Sequence, residues 1–341
     1  MRRRATLVDV AKRAGVSIGS VSNYLHNRPH MSEKMRKRIK DAVDDLGFVA
    51  NESARTLRSG RTGLITLSIP DLRQVYFAEL AEEVIRAARE RGYGVIVESS
   101  GNSRERELAC LSDVHRNMTD GLIMSPVKMS QDDLSLMEGD YPLVILGERV
   151  FGGPAPHVTV ENEAASKAAT EHLLRAGCKH IAVVGGSLDS SISSSRSLRT
   201  RGYLRALKEH GVTVDESLIR ETGEWTSESG ARAVRQMLAE GIRPDAIFAL
   251  NDLQAFGVSS QLRELRIAVP EQIRVVGFDN IDEARYTIPS LTTVDPMRTV
   301  VAQKAIDLLI GQIETGRRAS PAEYLTGYDI VYRHSSPKAL S

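Results

Sequence analysis

From Gly63 onward the chain repeats one pattern, and that pattern restricts its fold more than any other feature: short apolar runs alternate with stretches of helical period. Residues 64–69 read as a strand and 77–91 as a helix, with Ala78, Ala81, Ile85 and Ala88 at helical spacing. A strand over 95–98, a helix over 104–116 and strands over 121–124 and 143–146 follow. After Val160 the rhythm restarts, with helices over 162–176, 195–210, 227–240 and 252–265 and strands over 180–185, 246–250 and 274–278. A helix over 297–315 and strands near 322–333 complete it. Parallel strands need long crossovers, which the helices supply, so the alternation predicts parallel sheets covered by helices. Two runs of it predict an α/β body of two similar lobes.

The first 61 residues differ. They hold 14 Lys/Arg against 6 Asp/Glu, a net +8, whereas the other 280 hold 31 against 38, a net −7. A cationic head on a mildly acidic body is the footprint of polyanion binding. Thr6-Leu-Val-Asp9 has the form of a capping box, Leu7, Val10, Ala11 and Ala14 follow at helical spacing, and Gly15 supplies a tight turn. Ser17 starts a second helix with Val21, Tyr24 and Leu25 facing inward. Ser32 starts a third, with Met35, Ile39, Val43 and Leu46 in register and Gly47 as its stop.

Two short helices across a glycine turn, backed by a third, form a helix-turn-helix. Its second helix enters the major groove, which here presents Ile18, Gly19, Ser20, Ser22 and Asn23. Hydroxyls suit phosphate contacts, the Asn23 amide suits adenine, and Ile18 suits a thymine methyl. A helical bundle with no nucleic-acid role shares the spacing but does not call for the basic excess. In 51–60, Asn51 can cap one or two helical turns, a length that is marginal in isolation. Leu57, apolar among basic and polar neighbours, has the pattern of a minor-groove wedge.

Ligands of parallel α/β sheets bind beyond the carboxyl ends of strands, often between domains. The residues at those places are Asp71, Tyr76 and Phe77, Ser125, Glu161, Arg199, Trp225, Asn251 with Asp252, and Asp279. An indole face with amides and charged groups suits sugars: the ring stacks on an apolar surface while Asp, Asn and Arg bond hydroxyls.

Several classes are disfavoured. No apolar run approaches the roughly 20 residues of a membrane span. The cationic start is followed by Asp9, Lys12 and Arg13 rather than an apolar signal core, so a cytoplasmic protein is expected. Two cysteines, Cys110 and Cys178, make no disulfide framework. Phosphate-cradling glycine loops, a Gly-x-Ser-x-Gly elbow and a His-Glu-x-x-His pair are missing, the eight histidines lack metal-ligand spacing, and the serine run 190–197 reads as a polar loop before a helix. The expectation is a protein that is not an enzyme, with no cofactor and no metal.

The string Val8-Asp-Val-Ala-Lys-Arg-Ala-Gly-Val-Ser17, then Ser20-Val-Ser22, Leu25-His-Asn27, Ser32-Glu33, Leu46-Gly-Phe48 and 51–58, resembles the lactose/galactose repressor (LacI/GalR) family. The resemblance continues through Ile69-Pro-Asp-Leu72, Asp120-Gly-Leu-Ile123, Arg199-Thr-Arg-Gly-Tyr203, Val275-Val-Gly-Phe-Asp279 and Arg333-His-Ser335, covering about residues 6–334. It implies a helix-turn-helix DNA-binding domain over 1–50, a hinge helix and linker over 51–61, and a periplasmic-binding-protein-like body over 62–341. The first lobe would comprise about 62–161 plus 292–321 and the second 162–290 plus 322–341, with crossovers near 161–162, 290–292 and 320–322.

The implied DNA-binding residues are Thr6, Ser17, Ile18, Gly19, Ser20, Ser22, Asn23, Asn27, Ala54, Leu57 and Arg58. Arg199, Trp225, Asn251 and Asp279 match effector contacts. The implied function is a transcriptional regulator, a repressor, that binds near-palindromic double-stranded operator DNA as a homodimer under a carbohydrate-like effector. It would sit in the cytoplasm, on the nucleoid when bound to DNA, with no membrane partner. Three places depart from the family: Asn23 stands for a common arginine, Gln74-Val75 for the Asn-Pro after Asp71, and Glu161 for an aspartate before Asn162. A transport solute-binding protein would share the body but needs an export signal and no basic head. An enzyme on a doubly wound fold would need the phosphate-binding loops.

Overall fold

A computed structural model describes residues 5–25, 31–48, 60–112, 118–189 and 191–338. The chain divides into two compact units, Met1–Thr62 and Gly63–Ser341.

In the first unit, α1 (Leu7–Ala14) opens on a complete capping box: the Asp9 amide donates to Thr6 Oγ1 at 3.3 Å and the Thr6 amide donates to Asp9 Oδ2 at 2.9 Å. Gly15, at φ 61°, ends it in the left-handed conformation. In α2 (Ile18–Leu25) the Ser20 amide donates to Ser17 Oγ at 3.1 Å, and in α3 (Glu33–Leu46) the Met35 amide donates to Ser32 Oγ at 3.3 Å. Val10, Ala11, Ala14, Val21, Ile39 and Ala42 form the core, and Arg38 ties α3 to the carbonyls of Ala14 and Gly15. Leu25 and Leu46, expected inward, are each 36% exposed. Both are the last residue of their helix, beyond the three-helix contact, and on α3 Ala42 fills the place one turn after Ile39.

The second unit holds two six-stranded sheets. The first takes the order β11-β5-β4-β3-β1-β2, from β1 (Leu64–Ile69), β2 (Gly94–Ser99), β3 (Leu122–Met124), β4 (Leu143–Leu146), β5 (His157–Val160) and β11 (Glu323–Thr326), all parallel. The second takes the order β12-β10-β9-β8-β6-β7, from β6 (Ile181–Val184), β7 (Ile219–Arg220), β8 (Ala246–Ala249), β9 (Arg274–Phe278), β10 (Thr292–Asp295) and β12 (Asp329–Val331), with only the β10–β12 pair antiparallel. Strands β1, β3, β4, β6, β8 and β9 are almost wholly buried apolar runs, as strands covered on both faces must be.

Lobe 1 carries α4 (Val75–Glu90), the short α5 (Arg104–Ala109) and α10 (Arg298–Thr315), with Leu80, Val84, Ile306, Leu309 and Ile310 packed on Ile65, Leu67 and Ile123. Lobe 2 carries α6 (Asn162–Arg175), α7 (Ser195–Glu209), α8 (Ser227–Ala239) and α9 (Asp252–Glu264). Two glycines let these helices pair closely. A Cβ on Gly202 of α7 would lie 2.2 Å from the Glu163 carbonyl oxygen of α6, and one on Gly257 of α9 would lie 1.8 Å from the Ser227 oxygen of α8.

The lobe boundaries correct the expectation. Strand β10 pairs with β9 in lobe 2 and β11 pairs with β5 in lobe 1, so the chain crosses at 161–162, between β10 and α10, and between β11 and β12. The later two crossings therefore fall at about 296–297 and 327–328, not at 290–292 and 320–322. The reason lies in β10 itself. Thr292 and Thr293 are fully buried yet polar: Thr292 Oγ1 donates to the Ser336 carbonyl at 2.9 Å and Thr293 Oγ1 donates to Asp252 Oδ1 at 2.6 Å. A strand whose buried side chains are satisfied polar groups carries no apolar signature. The two-residue β7 is too short to show one.

Candidate functional site

The carboxyl ends of the parallel strands in both lobes carry the residues that border a cavity of about 130 Å³ between the lobes. Seven of the ten residues expected there line it: Tyr76, Phe77, Ser125, Arg199, Trp225, Asn251 and Asp279. The other three do not. Asp252 is wholly buried, its Oδ1 accepting from Thr293 Oγ1 at 2.6 Å and its Oδ2 from the Ile281 amide at 3.0 Å. Asp71 turns to Arg73, accepting from its amide at 2.9 Å and its NH2 at 2.7 Å, which holds the carboxyl below its usual range. Glu161 lies at the crossing into α6, where its amide donates to the Thr326 carbonyl at 3.2 Å.

Arg199 organises the lobe 2 wall. It comes from the first turns of α7, whose N-cap Ser194 accepts from the Ser197 amide at 3.2 Å. Its Nε donates to Asn162 Oδ1 at 2.7 Å and its NH1 to the Leu250 carbonyl at 2.5 Å, with Asp279 Oδ1 3.5 Å from NH1. The guanidinium carbon lies 3.5 Å from the Phe278 ring centroid and 5.4 Å from that of Trp225, a stacked and buried cation. Its NH2 has no hydrogen-bond acceptor among the described residues.

Asp279 follows β9 at φ 118° and Asn280 follows at φ 48°, two successive non-glycine residues in strained backbone. Arg298, at the start of α10, holds both carbonyls, donating to Asp279 O and to Asn280 O, and ion-pairs with Glu79 of α4 at 2.7 Å. Burial pushes the Asp279 carboxyl up to about 6, against the pull of Arg199 and Arg298. Burial, with the Glu148 and Asp279 carboxylates nearby, raises the Tyr76 phenol.

Asn251 caps α9, its Oδ1 accepting from the Gln254 amide at 2.9 Å, and its Nδ2 donates to the Trp225 carbonyl at 3.3 Å. The Trp225 Nε1 is buried without an acceptor. The donors without partners in the site include Trp225 Nε1, Thr159 Oγ1 and Arg199 NH2, beside a carboxylate at Asp279 and set among aromatic rings.

Sequence reasoning missed Glu148 and Arg149, which stand just after β4, and Ser194 and Ser195, read as loop. The strand-end rule that found Asp279 applies equally to Glu148. In the first unit Ser17, Ile18, Gly19 and Asn23 are exposed, Ser20 and Ser22 half-buried, and Thr6 is engaged in its capping box. Asn27, Ala54, Leu57 and Arg58 lie outside the described residues.

Residues 6–51 match the family model for bacterial regulatory proteins of the lacI family, and 170–336 the periplasmic binding protein-like domain. The transcriptional regulator AscG of Escherichia coli K12 is 32% identical over 323 residues, 94% of this chain and 95% of AscG. Among solved structures, the Lac repressor bound to ONPG in its repressed state superposes with a TM-score of 0.84 at 26% identity, covering 98% of this chain and all of that one. The regulator CelR in complex with cellobiose superposes with a TM-score of 0.71 at 27% identity, covering 97% of this chain and all of CelR. The helix-turn-helix head, the two-lobed parallel body and these matches agree: the chain belongs to the LacI family of bacterial transcriptional regulators, which are not enzymes.

Proposed function

We propose that the protein is a repressor whose affinity for a near-palindromic operator is set by a small neutral carbohydrate, or a close relative of one, bound between the lobes. The observation that carries this reading is the pairing of unused donors with a carboxylate against aromatic faces. Trp225 Nε1 and Arg199 NH2 call for ligand acceptors, Asp279 calls for ligand donors, and a hydroxyl is both. Two solved relatives hold cellobiose and ONPG.

The head reads DNA through Ile18, Gly19 and Asn23 in the major groove, with Ser17, Ser20 and Ser22 and the flanking arginines on phosphates. Residues 51–61, with Ala54, Leu57 and Arg58, form the hinge that couples body to head. It acts as a homodimer in the cytoplasm, two heads matching two half-sites. Tyr286 and Ile288, 76% and 82% exposed on lobe 2, supply apolar surface of the kind a subunit interface covers.

A thermal-shift screen of the full-length protein against neutral mono- and disaccharides tests this, followed by titration of duplex DNA selected from a random pool. A stabilising sugar is expected to change affinity for the selected duplex about 5–150-fold, with the duplex changing sugar affinity by the same factor. A pool that yields no enriched sequence would sink the reading of the head; a sugar that binds without altering duplex affinity would sink the coupling.

A further inference from the structure

Glu148 stands two residues beyond β4 on the lobe 1 side of the cleft, and lobe 2 holds both of its carboxylate oxygens. Asn162 Nδ2 donates to Oε1 at 2.8 Å and Ser195 Oγ donates to Oε2 at 2.5 Å. These donors come from the first turns of two different helices, α6 and α7. The chain of bonds continues inward, because Asn162 Oδ1 accepts from Arg199 Nε at 2.7 Å. Hydrogen bonds to an ionised acceptor are about twice as strong as neutral ones. Glu148 also borders the cavity, so it takes up donors that a ligand would otherwise engage.

We propose that Glu148 decides what the cleft accepts. Its carboxylate ties the lobes together through Ser195 and Asn162, so an entering molecule must offer hydrogen-bond donors to Glu148 as it takes those two over. A neutral polyol does this. A fully ionised oxyanion has acceptors only; it would leave Glu148 unbonded and facing like charge, with Asp279 as a second carboxylate in the same cavity. The selectivity rests on the reading of this cleft as the effector site.

Trp225 is the only tryptophan, half-buried in the cleft wall, so its fluorescence reports on the cleft. Acrylamide quenching of the full-length, ligand-free protein tests the tie. Glu148→Ala and Ser195→Ala are each expected to raise the quenching constant at least about twofold over wild type, with Glu148→Gln in between, since releasing the bonds shifts the population towards an open cleft. Ser195 is not the cap of α7, so its alanine variant keeps the helix start and decides the matter should Glu148→Ala fail to fold.

A second arm titrates sodium sulfate at constant ionic strength. Glu148→Gln is expected to give a saturable change in Trp225 emission and wild type none. Unchanged quenching in the alanine variants overturns the tie, and wild type that binds sulfate as tightly as Glu148→Gln overturns the selectivity. The acrylamide arm needs neither sugar nor DNA, so it can fail while the proposed function stands, and the reverse.

Discussion

Arg199 NH1 lies 3.5 Å from Asp279 Oδ1, near enough to attract the carboxylate but at the limit of a hydrogen bond, because the same nitrogen is committed to the Leu250 carbonyl at 2.5 Å. The attraction lowers the cost of burying Asp279 without cancelling it, and the carboxyl stays up at about 6. The folded protein therefore binds this proton more tightly than the unfolded chain. The contribution to stability is present at low pH and is lost as pH rises from about 4 through 6.

Denaturant melts of wild type against Asp279→Asn should show this directly. Wild type is expected to lose on the order of 2 kcal/mol relative to the variant between pH 4 and pH 6.5, then run parallel to it. A constant difference across that range refutes the assignment. A ligand hydroxyl donating to Asp279 favours the ionised form, so sugar affinity should rise with pH to about 6 and then level off.

Helix contact makes opposite demands at two glycines, one in each lobe. Gly257→Ala would put a Cβ 1.8 Å from a backbone oxygen that cannot swing away, so α8 and α9 must separate. The expected loss is roughly 1–3 kcal/mol or more. Gly311 of α10 has no neighbour within 4 Å of an added Cβ, and Gly311→Ala should stabilise by about 0.5–1 kcal/mol. Urea denaturation of both variants distinguishes contact from propensity.

Glu107 is 1% exposed, and its carboxylate accepts from the amides of Val127, Lys128 and Met129 at 2.8–3.1 Å. That bond set fixes the segment after β3 that brings Ser125, Pro126 and Val127 to the cavity. Glu107→Gln turns one acceptor into a donor facing amide hydrogens, with an expected cost of about 1–3 kcal/mol and weaker sugar binding. Thermal melts that match wild type would show that the segment holds its shape without this carboxylate.

The legible part of the site follows from one rule. Arg199, Asn251 and Asp279 were found because each follows the carboxyl end of a strand that an apolar run announces, or opens the helix beyond it; Trp225 follows the two-residue β7, which no apolar run announces, and was reached through the family resemblance. Asp71 obeys the same rule and fails it locally, since Arg73 two residues on captures its carboxylate. Glu148 was passed over although β4 was placed correctly, because its role depends on Asn162 and Ser195, which are distant in sequence. Strand β10 escaped because Thr292 and Thr293 are buried through hydrogen bonds rather than through apolar surface. Periodicity reports what a segment buries and says nothing of a bond that forms only after two lobes meet.

On the proposed function, Asn23 separates base reading from phosphate binding. Its side chain is exposed on α2, clear of the packed core of Val10, Val21 and Ile39. Asn23→Ala should therefore leave the melting temperature of the protein unchanged. A lost bidentate amide contact costs about 1–3 kcal/mol of discrimination at a single base pair. Binding to the selected duplex is expected to weaken by that amount, while the slope of affinity against salt stays the same, because no phosphate charge pair is removed. Binding to a duplex already changed at that base pair should be nearly indifferent to the substitution. Equal losses on every duplex, accompanied by a shallower salt slope, would place Asn23 on the backbone and leave Ile18 as the residue of α2 that reads a base.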